Sequence, residues 1–396
     1  MSTHSNNDPA KVILGFLEDL VRIPTVYPPG NTQAISAYLH ATLAALGYAT
    51  KTYAAAPGLD NVIARMGAGR PSLVFNAHVD TVGTGDPTLW THPPLELSVK
   101  NGYCFGLGAA NCKGSAAVQL WLAAELARRG GPRRGEVVFT FVTDEESLGQ
   151  HGMYALREQG LIRPDMLLLG APTANAVINA ERGVLWAQVT TTGRPAHAGA
   201  PERGDNAIAR MMRVLQHLTA RMEVLLKDRT DGDMCSTFNI GQINGGTNTN
   251  VVPARCSVQI DRRLLPGESV EEAFAEIESI VRSAGEPRAA VCVEQLRGTD
   301  GFRSIAAELV ESLCAAITTV TGDPASFASA IGVSDGRYFA ADGIEIVNFG
   351  PGEGSEGHAS NESVSIDSLR SSAMILERMV GALMGYRDEP GHLPRD

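Results

Sequence analysis

Apolar residues recur at helical spacing near the start of the chain. Ile13, Phe16, Leu17 and Leu20 share one face, behind an Asp8-Pro9 pair that supplies an N-cap and a first-turn proline. The pattern stops at Ile23-Pro24, and Tyr27-Pro28-Pro29-Gly30 reads as a loop. A second helix is predicted over 32–46, closed by Gly47, and a third over 115–129. Short apolar runs at 61–66, 72–77 and 136–143 read as buried strands. Two of them end in polar residues: Asn76-Ala-His78-Val-Asp80 and Thr143-Asp-Glu-Glu146. Reactive side chains placed where a buried strand runs out are the habit of open α/β sheets.

The texture changes near Arg182-Gly183. From there the pattern reads strand 184–192, helix 206–226, strands 236–243 and 255–264, helix 270–283 and strand 289–296. That order, β-α-β-β-α-β, is the ferredoxin-like split unit. The fold class expected is therefore α/β, a mixed-sheet domain with a ferredoxin-like domain inserted. The first domain occupies 1–182 and 296–396 and the insert 183–295. A helix over 305–321 and a motif-rich stretch over 331–366 return to the first domain, and 387–396 reads as a polar tail.

The 396 residues carry 33 Lys+Arg against 44 Asp+Glu, a formal charge of −11, with no basic run. Nucleic-acid binding needs a basic footprint and is disfavoured. No apolar run approaches the roughly 20 residues of a membrane-spanning helix. The first nine residues have neither a basic nor an apolar segment of an export signal, so the expected location is cytoplasmic. Cysteines 104, 112, 235, 256, 292 and 314 include no CxxC pair and read as free thiols.

Several short constellations can carry chemistry. In His78-Val-Asp80 the carboxylate is placed to orient the imidazole, as carboxylates behind metal-bound histidines do. In Asp144-Glu145-Glu146 adjacent carboxylates point apart, so one can hold a cation while the other moves a proton. The glycine-rich turn Phe105-Gly-Leu-Gly-Ala-Ala-Asn111-Cys-Lys-Gly114 opens a helix and matches no nucleotide-binding pattern. His358 lies in a glycine-rich stretch suited to delivering a ligand from a loop.

In their order and spacing these motifs resemble the co-catalytic zinc amidohydrolases, the family of acetylornithine deacetylase, succinyl-diaminopimelate desuccinylase, aminoacylase and glutamate carboxypeptidases. Gly170-x-Pro172-Thr173, the 194–206 segment and Gly350-Pro-Gly352…His358…Asn361-Glu362 contribute to the likeness, which covers nearly the whole chain. The resemblance implies a hydrolase of non-peptide C–N bonds, acting on an N-acyl amino acid or similar carboxylate-bearing amide, and a homodimer built through the inserted domain. It implies His78 as ligand of a first zinc with Asp80 behind it, Glu146 and His358 as ligands of a second, and Glu145 as general base. His197 resembles the histidine that enters the partner subunit's site to stabilise the oxyanion. Asn250, Arg263 and the Gly350–Gly352 loop resemble the holders of the substrate carboxylate.

Two positions depart from the family. Its bridging aspartate is Asn111 here, and the acidic residue of its Gly-x-Pro-Thr segment is Ala171. A neutral amide is a poor bridge between two dications, and alanine supplies nothing. Zinc remains the expected cofactor, with one ion, two or none all open. Cys112 and His151 are the neighbours that could substitute, while Lys113 is open to pairing with a carboxylate or lying near vacant cation space. Besides the hydrolase, two readings stay open: a metal-independent lyase, isomerase or condensing enzyme using the same pocket, and a non-catalytic binding homologue or inactivated variant.

Overall fold

The structure is a computed structural model and describes residues 8–27, 30–330 and 332–388. The readings made of residues 1–7, of Pro28-Pro29 and of the tail beyond 388 lie outside it. The described residues form two compact units, one drawn from 1–179, 304–328 and 334–396, the other from 180–303 and 329–333. No helix among them is long and apolar enough to cross a membrane.

The first unit is built on a six-stranded mixed sheet. Its strand order is Ala49–Ala56, Leu59–Gly67, Glu136–Val142, Ser72–His78, Met166–Leu169, Glu345–Asn348. Ser72–His78 runs parallel to both its neighbours, Glu136–Val142 and Met166–Leu169. All seven of its residues are buried, which is why the segment reads as a continuous apolar run rather than an alternating one. Ala49–Ala56 is an edge strand with no buried position, and its Ala/Thr/Lys sequence carries too weak an alternation to be read as a strand. The two four-residue strands, Met166–Leu169 and Glu345–Asn348, are too short to be told from helix fragments by period.

Helix Pro9–Arg22 begins where Asp8 accepts from the Ala10 N–H, and it buries Ile13, Leu17 and Leu20 completely. It packs with Ile366–Met384 against Lys113–Arg128, whose first eight residues are all buried. Phe75 and Phe139 stack at 5.2 Å in the same core. Each fully buried Leu or Phe there contributes about 1.5–3 kcal/mol. The helix expected over 305–321 starts later, at Glu308. Its first turn is capped from a distance: the Glu345 carboxylate accepts from the N–H groups of Ala307, Leu309 and Val310.

The second unit is the ferredoxin-like β-α-β-β-α-β arrangement. An antiparallel sheet runs in the order Thr237–Gly245, Arg255–Leu264, Gly183–Thr192, Val291–Thr299, with helices Ala207–Leu226 and Val270–Arg282. Arg255–Leu264 alternates buried and less buried positions along its length, the signature of one covered face. Val291–Thr299 runs past the predicted end at 296, because after a bulge between Gln295 and Arg297 it resumes pairing with Trp186, Leu185 and Val184. Leu185, Val189, Val214, Leu218, Ile260 and Ile277 form this unit's core.

Candidate active site

His78 is the last residue of the central strand Ser72–His78 and is buried. Its Nδ1 lies 3.1 Å from the backbone carbonyl oxygen of Asp80 and 3.7 Å from that residue's carboxylate. The Asp80 carboxylate is fully buried, and its Oδ2 accepts from the Glu146 N–H at 3.1 Å. Asp80 thus holds the ring by its main chain and the acidic turn by its side chain. Burial works against charge on the His78 ring, yet Glu145, Cys112 and Asp80 together hold its pKa well above the ordinary value.

The acidic turn follows strand Glu136–Val142. Asp144 adopts a left-handed conformation with φ 66°, and its side chain accepts from Ser147 Oγ, from the His151 N–H at 3.0 Å and from His151 Nδ1 at 2.6 Å. A Cβ on Gly149 would fall 1.8 Å from the Asp144 carboxylate, so any side chain there has to displace that carboxylate. Glu145 Oε2 is thereby set 3.8 Å from His78 Nε2. Burial pushes the Glu145 carboxyl well above the carboxylate range, against the pull of the His78 ring. His151 is spent on Asp144 and lies outside the cluster that His78 forms with Glu145 and Glu146.

Asn111 ends the glycine-rich turn and sits at the middle of the cluster. Its Oδ1 is 3.2 Å from His78 Nε2, its Nδ2 donates to Glu146 Oε1 at 2.9 Å, and Nδ2 is 3.3 Å from His358 Nε2. His358 Nε2 lies 2.9 Å from both oxygens of Glu146, and that carboxylate raises the imidazole's pKa. The turn is held by Glu362, whose carboxylate accepts from the N–H groups of Gly108, Ala110 and Asn111 at 2.7–2.9 Å. Burial raises the Glu362 pKa against those three bonds.

Cys112 Sγ donates to the Gly170 carbonyl at 3.0 Å, and burial pushes the thiol up to about 11. The thiolate is the metal-binding form, so this sulfur packs beneath the loop as a protonated thiol. Lys113 is fully buried, donates to the Ile23 carbonyl at 2.9 Å and is driven by burial down to about 7. Ala171 brings only its carbonyl. A Cβ on Gly350 would meet that oxygen and Ser115 Oγ at 2.4 Å, and one on Gly352 would meet the Ala110 carbonyl at 2.5 Å.

Sequence reasoning missed a buried group on the same unit. Asp335 and Arg337 face each other at 3.7 Å, and Asn76 Nδ2 lies 3.5 Å from Asp335 Oδ2. Arg337 donates to the Ser334 carbonyl and to Tyr338 Oη, both at 2.8 Å, and Tyr338 donates to the Gly149 carbonyl at 2.5 Å. Asp335 raises and Arg337 lowers the Glu145 pKa, so the pair belongs to the electrostatic surroundings of that carboxylate. Ser334-Asp-Gly-Arg337 reads locally as an ordinary turn, and no signal within it points to burial.

The remaining expected site residues lie on the second unit. His197 is exposed, with Nδ1 accepting from the Gly199 N–H at 3.0 Å, and the Ala198 N–H donates to the Asn250 carbonyl at 3.0 Å. These two residues therefore sit on paired segments. Arg263 is engaged by Asp261 through two bonds of 2.8 and 3.1 Å.

Residues 179–289 match the peptidase dimerisation domain, and residues 61–221 match peptidase family M28. A succinyl-diaminopimelate desuccinylase of Halorhodospira halophila is 30% identical over 366 residues, covering 90% of this chain and 94% of that one. Among solved structures, a tripeptidase of Staphylococcus aureus superposes with TM-score 0.76 at 23% identity, over 94% of this chain and 97% of that one. A dinuclear metal-binding peptidase of the M20 family from Bacillus subtilis superposes with TM-score 0.70 at 14% identity, over 96% and 99%. At such identities the structural likenesses speak for the fold.

Proposed function

The chain belongs to the M20 family of peptidases and related amide hydrolases, and from that membership we propose that it hydrolyses an N-acyl amino acid or similar carboxylate-bearing amide with Glu145 as general base. That it is a hydrolase of amide bonds follows from the family. The assignment of Glu145 is carried by one observation: a half-buried carboxylate with raised proton affinity, 3.8 Å from His78 and one residue from the Glu146–His358 pair. Such a group can take a proton from water, hold it, and return it to the leaving nitrogen as the C–N bond breaks. Arg337 and Asp335 act on its proton affinity in opposite directions.

The donor set does not fit a pair of metal ions. At the bridging position an amide turns its NH2 to Glu146, and Ala171 offers no side-chain ligand. It does fit one divalent cation, with Glu146 and His358, an imidazole–carboxylate pair 2.9 Å apart, as the residues that would hold it. A bound cation would polarise the scissile carbonyl and favour deprotonation of water. The metal-independent reading is favoured by the same amide, which satisfies the cluster by hydrogen bonds alone.

Under this proposal a second copy of the chain pairs through the dimerisation domain. His197 from the partner subunit then faces the substrate oxyanion, while Asn250, Arg263 and the Gly350–Gly352 loop take the substrate carboxylate. Glu145→Gln tests the reading: hydrolysis of a panel of N-acetyl and N-succinyl amino acids is expected to fall by more than about 10²-fold, the scale of a general base. Unchanged turnover in that variant removes Glu145 from the reaction.

A further inference from the structure

Asp261 and Arg263 lie two positions apart on strand Arg255–Leu264, so their side chains share one face of the second unit's sheet. Ile260 and Leu264 point into the core under the helices, and Asp261 and Arg263 therefore occupy the opposite face. Asp261 stands directly across the strands from Trp186, whose indole N–H donates to its Oδ2 at 2.8 Å. The same carboxylate grips Arg263 with both oxygens: Oδ1 accepts from Nε at 2.8 Å and Oδ2 from Nη2 at 3.1 Å. On the helix side, Arg262 donates to the Arg263 carbonyl and to Glu268 Oε1, the latter at 3.0 Å. The main chain that carries Arg263 is held there as well.

A guanidinium presents five N–H donors in one plane. Asp261 takes the Nε–H and one N–H of Nη2, the side edge of the fork. The end edge, made by Nη1 and the other N–H of Nη2, is left over. Among the described residues Nη1 meets no acceptor, and the side chain is partly exposed. Two parallel N–H groups match the two oxygens of one carboxylate. A partly exposed ion pair adds little to stability by itself. What this one supplies is orientation, because a side chain already ordered has little rotamer freedom left to lose when a ligand binds.

We propose that Asp261 is a positioning residue which, steadied by Trp186, clamps the side edge of Arg263 and presents its end edge to the substrate carboxylate. The group recognised is one planar carboxylate, taken end-on. This deepens the reading of Arg263 as a holder of the substrate carboxylate and rests on it. The competing role has the opposite sign: an Asp261 that filled Arg263 in the substrate's place would weaken binding, and its removal would tighten it.

The test is steady-state kinetics of the full-length protein on N-acetyl and N-succinyl amino acids and on their C-terminal carboxamides. Arg263→Ala is expected to erase the preference for carboxylate over carboxamide. Asp261→Ala is expected to raise KM for the carboxylates by about 3–10-fold, the penalty for ordering one long side chain on binding, with kcat and the carboxamide KM held within about twofold. Trp186→Phe keeps a ring and loses the donor, and shifts the carboxylate KM the same way by less. In an Arg263→Ala background, Asp261→Ala adds nothing, because the pair acts as one unit. An unchanged or lowered carboxylate KM in Asp261→Ala, with Arg263→Ala behaving as expected, overturns the proposal and leaves the reading of Arg263 standing. So does an equal rise for carboxylates and carboxamides, which is what a merely structural loss produces. A wild type that shows no carboxylate preference, or a preference that survives Arg263→Ala, overturns the reading of Arg263 and the proposal with it.

Discussion

The Glu362 carboxylate accepts from three N–H groups of the turn that presents Asn111, and it lies four residues after His358. One side chain thereby ties the two segments that meet at Glu146. Glu362→Ala leaves three donors without this partner, two of them buried. At about 1–3 kcal/mol each, the urea-unfolding free energy should fall by about 3 kcal/mol or more, with a smaller loss in Glu362→Gln. Lys113 gives a pH signature. Its folded pKa of about 7 lies below the ordinary lysine value of 10.5, so between those values the unfolded chain binds more protons than the folded one. Stability is expected to rise with pH across that window, fall as pH drops toward 7, and level off below it. Thermal melts of Lys113→Met should lack this dependence. A wild-type melting temperature equally insensitive to pH would place the lysine in solvent.

Elements converge on the site through their ends. His78 closes one parallel strand, the acidic turn follows the next, and Asn111 precedes the N-terminus of helix Lys113–Arg128. The turns linking them tolerate little. Gly149→Ala would set a Cβ against the Asp144 carboxylate, and Gly350→Ala would set one against the Ala171 carbonyl. Both variants are expected to fold with lowered melting temperatures and to lose activity, the first by moving Glu145 and Glu146. Full activity in Gly149→Ala would mean that the turn relaxes without shifting the carboxylates. The strand and helix pattern was legible at this scale because burial on one or both faces writes period 2, period 3.6 or a continuous apolar run into the chain. Where pairing partners supply the order, as for Ala49–Ala56 and Glu345–Asn348, the local pattern was too weak to read.

For the whole molecule, two compact units share one chain, and the second carries the match to a peptidase dimerisation domain. The proposed completion of the site by His197 from the partner subunit makes a prediction that no single-chain mechanism makes. Glu145→Gln and His197→Ala homodimers should each be inactive, while mixed dimers should recover part of the wild-type rate, read by co-expression with two affinity tags. Mixed dimers as inactive as their parents would count against a shared site.

Much of the site was legible in the spacing of His78, Asp80, Glu145, Glu146 and His358, since short-range order places reactive residues at strand ends and in turns. The expectation drawn at Asn111 and Ala171 rests on residue type alone, an amide being a poor bridge between two cations and alanine bringing no side-chain ligand. What the sequence could not carry was direction. Only packing decided that Cys112 faces the Gly170 carbonyl, that His151 turns to Asp144, and that Asp80 grips His78 through its main chain. Asp335 and Arg337 reach the surroundings of Glu145 from about 190 residues away in the chain, through tertiary contacts with no local signature. A side chain's identity is set by its codon, but the atom it presents is set by what the rest of the fold leaves unsatisfied around it.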